Sequence, residues 1–233
     1  MGWVDRGVMT FDENLNNARR LADCCDKLLL RVDADTGYGN VVNVKRTVEE
    51  FEAAGVAAIH IEDQVSPKRC GQLPGARPVI EMAEAVGKIE AAVAAKRDPE
   101  FIIIARTDSA ESRGLDKAIE RAQAFIKAGA DVAFVEIKAG PTVLDDLKRI
   151  AAGVPAPCLV NVDAGGALAD LTADDLSRLL KGISAHSTRV GLNQDLFASG
   201  EDLAGIMDAL RWKSPRMPLA YNRNLAAEAG AAG

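Results

Sequence analysis

Short aliphatic and β-branched runs alternate with Ala-rich amphipathic stretches along almost the whole chain, and this alternation is what most restricts the fold. The runs predict strands near 28–34, 57–62, 101–106, 132–136, 158–162 and 186–191, and the stretches predict helices near 12–25, 41–54, 78–96, 116–128, 142–151, 172–180 and 201–211. A strand followed by a helix, repeated in this way, buries both faces of its strands only as βα units around a parallel sheet. Two segments can be laid on each other, FEAAGVAAIHIE from Phe51 to Glu62 and FIKAGADVAFVE from Phe125 to Glu136. Each closes a helix with glycine and ends a buried strand on glutamate, and such repetition favours a barrel over an open sheet. A (β/α)8 barrel takes about 250 residues. Six units leave this chain roughly two short by that measure. The expectation is therefore an α/β fold: a (β/α)8 TIM-type barrel lacking roughly the first two strands, with C-terminal helices, and residues 1–233 forming a single (partial) barrel domain. The missing strands would lie before Met1, and a barrel open at that edge is expected to be unstable alone.

Composition narrows the function classes. The 233 residues are 48% hydrophobic and 27% charged, enough for a sizeable core. A net charge of -6 supplies no basic stripe, so neither nucleic acid nor an anionic membrane surface is an expected partner. No leader pattern opens the chain and no run of about 18 apolar residues occurs, which predicts a cytoplasmic protein. The four cysteines have no regular spacing and two histidines are too few for a His-rich metal site.

The strand ends carry the chemistry. In a barrel the active site lies at the C-terminal ends of the strands. Those ends here read Asp33 and Asp35, Glu62 and Asp63, Arg106 and Asp108, Glu136, then Asn161 and Asp163. Two carboxylates at i and i+2 on an extended segment face the same side, and Glu62 from the next strand could complete an oxygen cage. Any one such acid alone could equally be a helix cap or a turn former. Their convergence on successive strands points to a hard cation, Mg²⁺ or Mn²⁺, rather than zinc.

The connection EDQVSPKRCGQLPG, residues 62–75, is long for a βα loop and reads as an active-site flap. Its Cys70 sits beside Lys68 and Arg69, two cations that favour the thiolate and suit a proton donor or acceptor; an inert surface cysteine is the alternative. Cys24, Cys25 and Cys158 read as packing residues. Arg106 could hold a substrate carboxylate through its two-pronged guanidinium, form an ion pair with Glu62 or Glu136, or do both. His60, inside a strand, reads as a core residue and not as a catalyst.

Together DADTGYGN, IHIEDQVSPKRCG, IIARTD and VNVDAGG resemble the isocitrate lyase/phosphoenolpyruvate mutase superfamily, most closely its methylisocitrate lyase and dimethylmalate lyase branch. The resemblance covers nearly the whole chain. It implies a (β/α)8 barrel whose last helix swaps between subunits in a dimer of dimers, with Mg²⁺ (or Mn²⁺) at the strand ends and a small-molecule carboxylate as substrate. By position, Asp33, Asp35 and Glu62 resemble the metal-site carboxylates, and Asp5, in WVDRG, resembles a further acid facing the metal. Tyr38 and Gly39 resemble substrate-site residues, and Cys70 the catalytic cysteine of the lyases. Arg106, Glu136 and Asn161 resemble the residues that grip substrate carboxylates or steer the flap.

The implied reaction is Mg²⁺-dependent cleavage of a carbon–carbon bond in a 2-hydroxy di- or tricarboxylate, giving a 2-oxo acid and a carboxylate. Two segments depart from the lyase pattern. Gln72 stands where histidine usually follows KRCG, so a titrating relay is lost there. Ala164 replaces an acid in the segment after Asn161, and Ala167, Leu168 and Ala169 replace Lys-Thr-Pro. Two alternatives accompany the lyase reading: an oxaloacetate decarboxylase or phosphonate mutase/hydrolase of the same superfamily, for which the cysteine is dispensable, and an inactive fragment that retains the fold.

Overall fold

A computed structural model describes residues 4–24, 29–71 and 75–161 of the chain, all within a compact unit running from Met1 to Thr172. The elements, in order, are α1 (Phe11–Cys24), β1 (Arg31–Asp33), α2 (Val41–Ala53), β2 (Ala58–Glu62), α3 (Met82–Ala95), β3 (Ile102–Thr107), α4 (Ser109–Arg113), α5 (Leu115–Lys127), β4 (Val132–Val135), α6 (Val143–Gly153) and β5 (Cys158–Leu159). The expected strand at 186–191 and helices at 172–180 and 201–211 lie outside the described residues.

The five strands form one sheet in the order β1-β2-β3-β4-β5, each parallel to the next. Sequential parallel neighbours are the arrangement of a barrel wall, whereas a doubly wound sheet reverses its order at a switch point. The register pairs Asp33 with His60, Glu62 with Arg106 and Thr107 with Val135. It therefore carries the acidic and basic strand ends to one edge of the sheet. No helix among the described residues is long and apolar enough to cross a membrane.

The predicted repeat is real at the level of single hydrogen bonds. After α2, Gly55 N–H donates to Glu52 O and Val56 N–H to Phe51 O; after α5, Gly129 N–H donates to Ile126 O and Ala130 N–H to Phe125 O. Both glycines have positive φ, so each helix ends in the same Schellman turn and releases the chain into the next strand. The two phenylalanines are fully buried. Phe51 packs with Leu15, Val44, Val48, Ile59, Ile61 and Ile103 in the main core, and Phe125 packs with Ala85, Ile89 and Ala105 in a second. Each such ring or branched aliphatic chain contributes about 1.5–3 kcal/mol by leaving water.

Two local departures have simple causes. The helix expected from residue 78 begins at Met82, because the preceding residues are held extended: Val79 bridges antiparallel to Gln64, the Pro78 carbonyl accepts from Val65 N–H and Ile80 N–H donates to the Asp63 carbonyl. The single turn α4 was not foreseen; it ends at Gly114, φ 85°, from which α5 starts.

Candidate active site at the strand ends

β1 stops at Asp33, and the carboxylates of Asp33 and Asp35 do converge, though not by strand alternation. Asp35 adopts a left-handed backbone, φ 48°, in a turn where its N–H donates to Asp33 Oδ1 at 2.8 Å and its carbonyl accepts from Glu62 N–H. The turn, rather than the period of two, brings the acids together. They meet on Lys68. Its Nζ contacts Asp35 Oδ1, lies 3.0 Å from Asp5 Oδ1 and lies 3.8 Å from Asp33 Oδ2. Burial alone would lower the lysine's pKa, but Asp33, Glu62 and Asp35 outweigh it and hold the ammonium well above its ordinary value. For Asp35 burial wins over Lys68, so its pKa is raised. For Asp33, whose side chain is 44% exposed, burial is outweighed by His60, Lys68 and the Asp35 N–H, and the carboxyl is held below the usual carboxylate range.

His60, expected as a core residue, is buried as predicted, yet it also belongs to this site. Arg31 Nη1 stands 2.6 Å from its Nδ1. His60 Nε2 is 3.0 Å from Asp33 Oδ1, close enough for attraction but outside hydrogen-bond alignment.

The following residues position the loop. Asn14 Nδ2 donates to the Asp33 carbonyl at 2.7 Å and to the Tyr38 hydroxyl at 2.6 Å. The Tyr38 ring packs edge-on against Phe11, and burial raises its pKa far above the ordinary value despite the bond from Asn14. Gly39 has φ 146°, and a Cβ there would fall 2.3 Å from Asn43 Oδ1. That oxygen accepts from Asn40 N–H while Asn40 Oδ1 accepts from Val42 and Asn43 N–H, a reciprocal cap that starts α2.

A second cluster fills the ends of β2, β3 and β4. Arg106 donates from Nε to Asp108 Oδ2 at 3.0 Å and from Nη2 to Asp108 Oδ1 at 2.8 Å. Glu62 and Glu136 stand at 3.5 and 3.9 Å from the same guanidinium. The ion-pair reading of Arg106 thus holds, but its principal partner is Asp108. Sequence reasoning missed Arg77, which is 1% exposed and donates from Nη1 to Asp108 Oδ1. Burial, then Asp108, pushes the Glu62 pKa up to about 8, with Arg106 and Lys68 opposing. Its Oε1 is buried without a hydrogen-bond partner. Burial likewise raises Glu136, with Arg106, Arg77 and the bond from Asn161 opposing; Asn161 Nδ2 donates to Glu136 Oε2 at 3.0 Å. Neighbouring Asp63 is purely structural: Thr107 Oγ1, Asp108 N–H and Arg121 Nε all donate to it within 2.9 Å.

Cys70 is half-buried on the 62–75 connection, which is fastened at its start. Gln64 Oε1 accepts from Arg69 N–H at 2.9 Å and its Nε2 donates to Arg69 O. Gly71 lies so close to the second cluster that a Cβ there would be 3.0 Å from Arg77 Nη1. Of the two cations expected to act on the thiol, Lys68 instead spends its charge on Asp5, Asp33 and Asp35. Gln72 and Ala164 lie outside the described residues.

Among the described residues, no three His, Cys, Asp or Glu side chains are packed as a ready ligand shell. The chemistry nevertheless fits a hard divalent cation. Asp5, Asp33 and Asp35 already surround one positive charge with oxygens, and the orphaned Glu62 Oε1 leaves a buried acceptor beside them.

A family model for phosphoenolpyruvate phosphomutase matches residues 1–194. The chain belongs to the isocitrate lyase/phosphoenolpyruvate mutase superfamily. Within this superfamily it is 41% identical over 188 residues to the 2,3-dimethylmalate lyase of Eubacterium barkeri, covering 81% of this chain and 63% of that one. It is 45% identical over 177 residues to the 2-methylisocitrate lyase of Escherichia coli (strain K12), covering 76% and 58%. The chain thus spans about three-fifths of the length of these curated relatives. A solved phosphonopyruvate hydrolase in complex with oxalate and Mg²⁺ superposes with a TM-score of 0.61 at 28% identity, covering 97% of this chain and 80% of that one.

Proposed function

We propose that this superfamily member, on a (β/α)8 barrel, is a Mg²⁺-dependent carbon–carbon lyase that splits a 2-hydroxy di- or tricarboxylate into a 2-oxo acid and a carboxylate. The observation that carries the reading is the convergence of Asp5, Asp33 and Asp35 on one cation at the strand ends. Relatives named 2,3-dimethylmalate lyase and 2-methylisocitrate lyase support it.

Asp33 and Asp35 would hold the metal, with Asp5 and Glu62 reaching it directly or through water. A divalent cation held there would supply Lewis-acid polarisation of the 2-hydroxyl. The protein's own groups do the rest. Arg106, held in plane by Asp108, faces a carboxylate of the substrate; Glu136, fixed by the bond from Asn161, stands 3.9 Å from the same Nη2. Tyr38 and Gly39 shape the substrate edge of the β1 turn. When the carbon–carbon bond breaks, the 2-hydroxyl proton leaves to water, the electron pair of the broken bond stays on the departing fragment as a carbanion delocalised into its own carboxylate, and the Cys70 thiol gives that carbon a proton and regains one from water. The subunits assemble as a dimer of dimers in this reading.

The test is release of a 2-oxo acid from 2-methylisocitrate or 2,3-dimethylmalate, with and without EDTA, by the chain and by Cys70→Ser. Loss of a general acid costs about 10²–10⁴-fold in rate. Release that needs Mg²⁺ and falls by that factor in the variant supports the lyase. A second reading, phosphonate or oxaloacetate chemistry, is favoured by the likeness to the phosphonopyruvate hydrolase; there the Cys70→Ser variant keeps full activity. Mg²⁺-dependent release of a 2-oxo acid from any of these substrates rules out the inactive fragment.

A further inference from the structure

Lys88, on α3, is 6% exposed and has no part in the chemistry above. Its Nζ donates to the Thr36 carbonyl at 3.1 Å, one residue past Asp35. Among the described residues it forms no ion pair. Desolvation is the largest influence on its ammonium and lowers its pKa, opposed by Glu84, an exposed residue one turn back on the same helix. Its surroundings are largely apolar: it lines a small cavity with Ile61, Ile89 and Phe125, at whose polar end stand Glu62 and Arg106. A buried charge is costly unless it is paired, so an apolar side chain of the same length would suit this part of the core at least as well. The ammonium therefore serves something other than the stability of α3.

What it serves is visible in the β1 turn, whose carbonyls are held one by one from different elements. Asn14 of α1 donates to Asp33 O at 2.7 Å, Gly37 N–H closes the turn on Ala34 O, and Glu62 N–H at the end of β2 donates to Asp35 O. Lys88 of α3 takes Thr36 O, and the Thr47 hydroxyl of α2 stands 3.3 Å from Gly37 O. Asp35 needs such a hold. Its φ of 48° is strained for a residue with a side chain and persists only where the surroundings over-determine it. Glu62 N–H and Lys88 Nζ fix the two peptide units that follow it, and Lys88 is the one charged donor of the set. Resting on the metal reading above, we propose that Lys88 is a positioning residue of the metal site: it pins the Thr36 carbonyl and so keeps Asp35 in the backbone conformation that brings its carboxylate to Asp5 and Asp33. Lys88 touches neither metal nor substrate. Without it the Thr36 peptide unit turns, Asp35 relaxes and the cage loses a carboxylate.

The test is calorimetric titration of Mg²⁺, without substrate, into the full chain and into Lys88→Met, beside urea unfolding of both in EDTA. Removing a group that orients a metal ligand typically costs about 10–100-fold in affinity. Lys88→Met should therefore bind Mg²⁺ about tenfold or more weakly, with its unfolding midpoint nearly unchanged. Unchanged affinity overturns the proposal and leaves the metal site standing. A variant that folds but whose midpoint falls along with its affinity also overturns it, because Lys88 is then a structural residue only. Failure of the parent to bind Mg²⁺ removes the metal reading and the proposal with it. A measurement on the parent alone covers a variant that does not fold. Coupling is reciprocal, so Mg²⁺ must strengthen the hold of Lys88 on the turn: acetylation of Lys88 by acetic anhydride should slow several-fold with Mg²⁺, while that of Lys96, 16% exposed at the end of the same helix, should not. Equal rates at Lys88 with and without Mg²⁺, or the same slowing at Lys96, overturn the proposal.

Discussion

The two charge clusters at the strand ends are built from the same kinds of groups and behave as opposites. At the end of β1 a single ammonium on a long, flexible stem serves three carboxylates, two of which are substantially exposed. At the ends of β3 and β4 two planar guanidiniums, Arg77 and Arg106, close on Asp108, which is fully buried and also anchored through its N–H to Asp63. An ammonium is a compact point charge that another cation can replace, whereas guanidinium forks lock carboxylates in a fixed plane. The first cluster is thus suited to exchange and the second to alignment.

The strongest way to break this comparison is Asp108→Asn. It removes the charge shared by the buried Arg77 and the partly buried Arg106, and stripping one partner from a buried ion cluster typically costs about 3–5 kcal/mol. A urea titration should show a loss of unfolding free energy of that size. A loss under about 1 kcal/mol, the range of exposed pairs, would mean that the second cluster is no more rigid than the first.

The scaffold of this comparison was largely legible in the sequence, and its wiring was not. The equivalence of Phe51–Glu62 with Phe125–Glu136 could be read because helix periodicity, the closing glycine and the apolar strand are all local. The acids at the strand ends were legible for the same reason. The partnership of Arg77 with Asp108 spans 31 residues, and that of Lys68 with Asp35 joins two separate connections, so no spacing rule announces either. His60 misled because burial in a strand and contact with Asp33 are compatible; strand pairing sets it opposite that residue. The i, i+2 argument for Asp33 and Asp35 reached the right juxtaposition through the wrong geometry, since the left-handed backbone of a non-glycine residue, Asp35, leaves no local sequence signal.

A medium-sized effect should come from Glu62, which sits between the clusters. Its pKa in the folded chain is raised from the usual 4.5 to about 8. Between those two values the native state holds a proton that the unfolded state has lost, so this group makes stability fall as pH rises through that window; below it there is no penalty, and above it the penalty is complete. Urea unfolding in EDTA from pH 5 to 8 should therefore show a declining contribution that Glu62→Gln removes, leaving a flatter profile. Identical slopes for parent and variant would place Glu62 among the paired, ionised acids of the Arg106 cluster.

The smallest stability effect belongs to Asp5, and it sharpens the comparison most. At 59% exposure its contact with Lys68 at 3.0 Å is close to a surface ion pair, and such pairs contribute about 0–1 kcal/mol. Asp5→Asn should therefore leave the unfolding midpoint nearly unchanged. Its consequence should appear in metal binding, where losing a supporting ligand typically costs about 10–100-fold in affinity. Little change in stability with a clear loss of Mg²⁺ affinity is the signature of an exposed acid that serves the metal rather than the fold. A variant that binds Mg²⁺ as the parent does would reduce the cage to Asp33 and Asp35, with Asp5 serving only to hold Lys68.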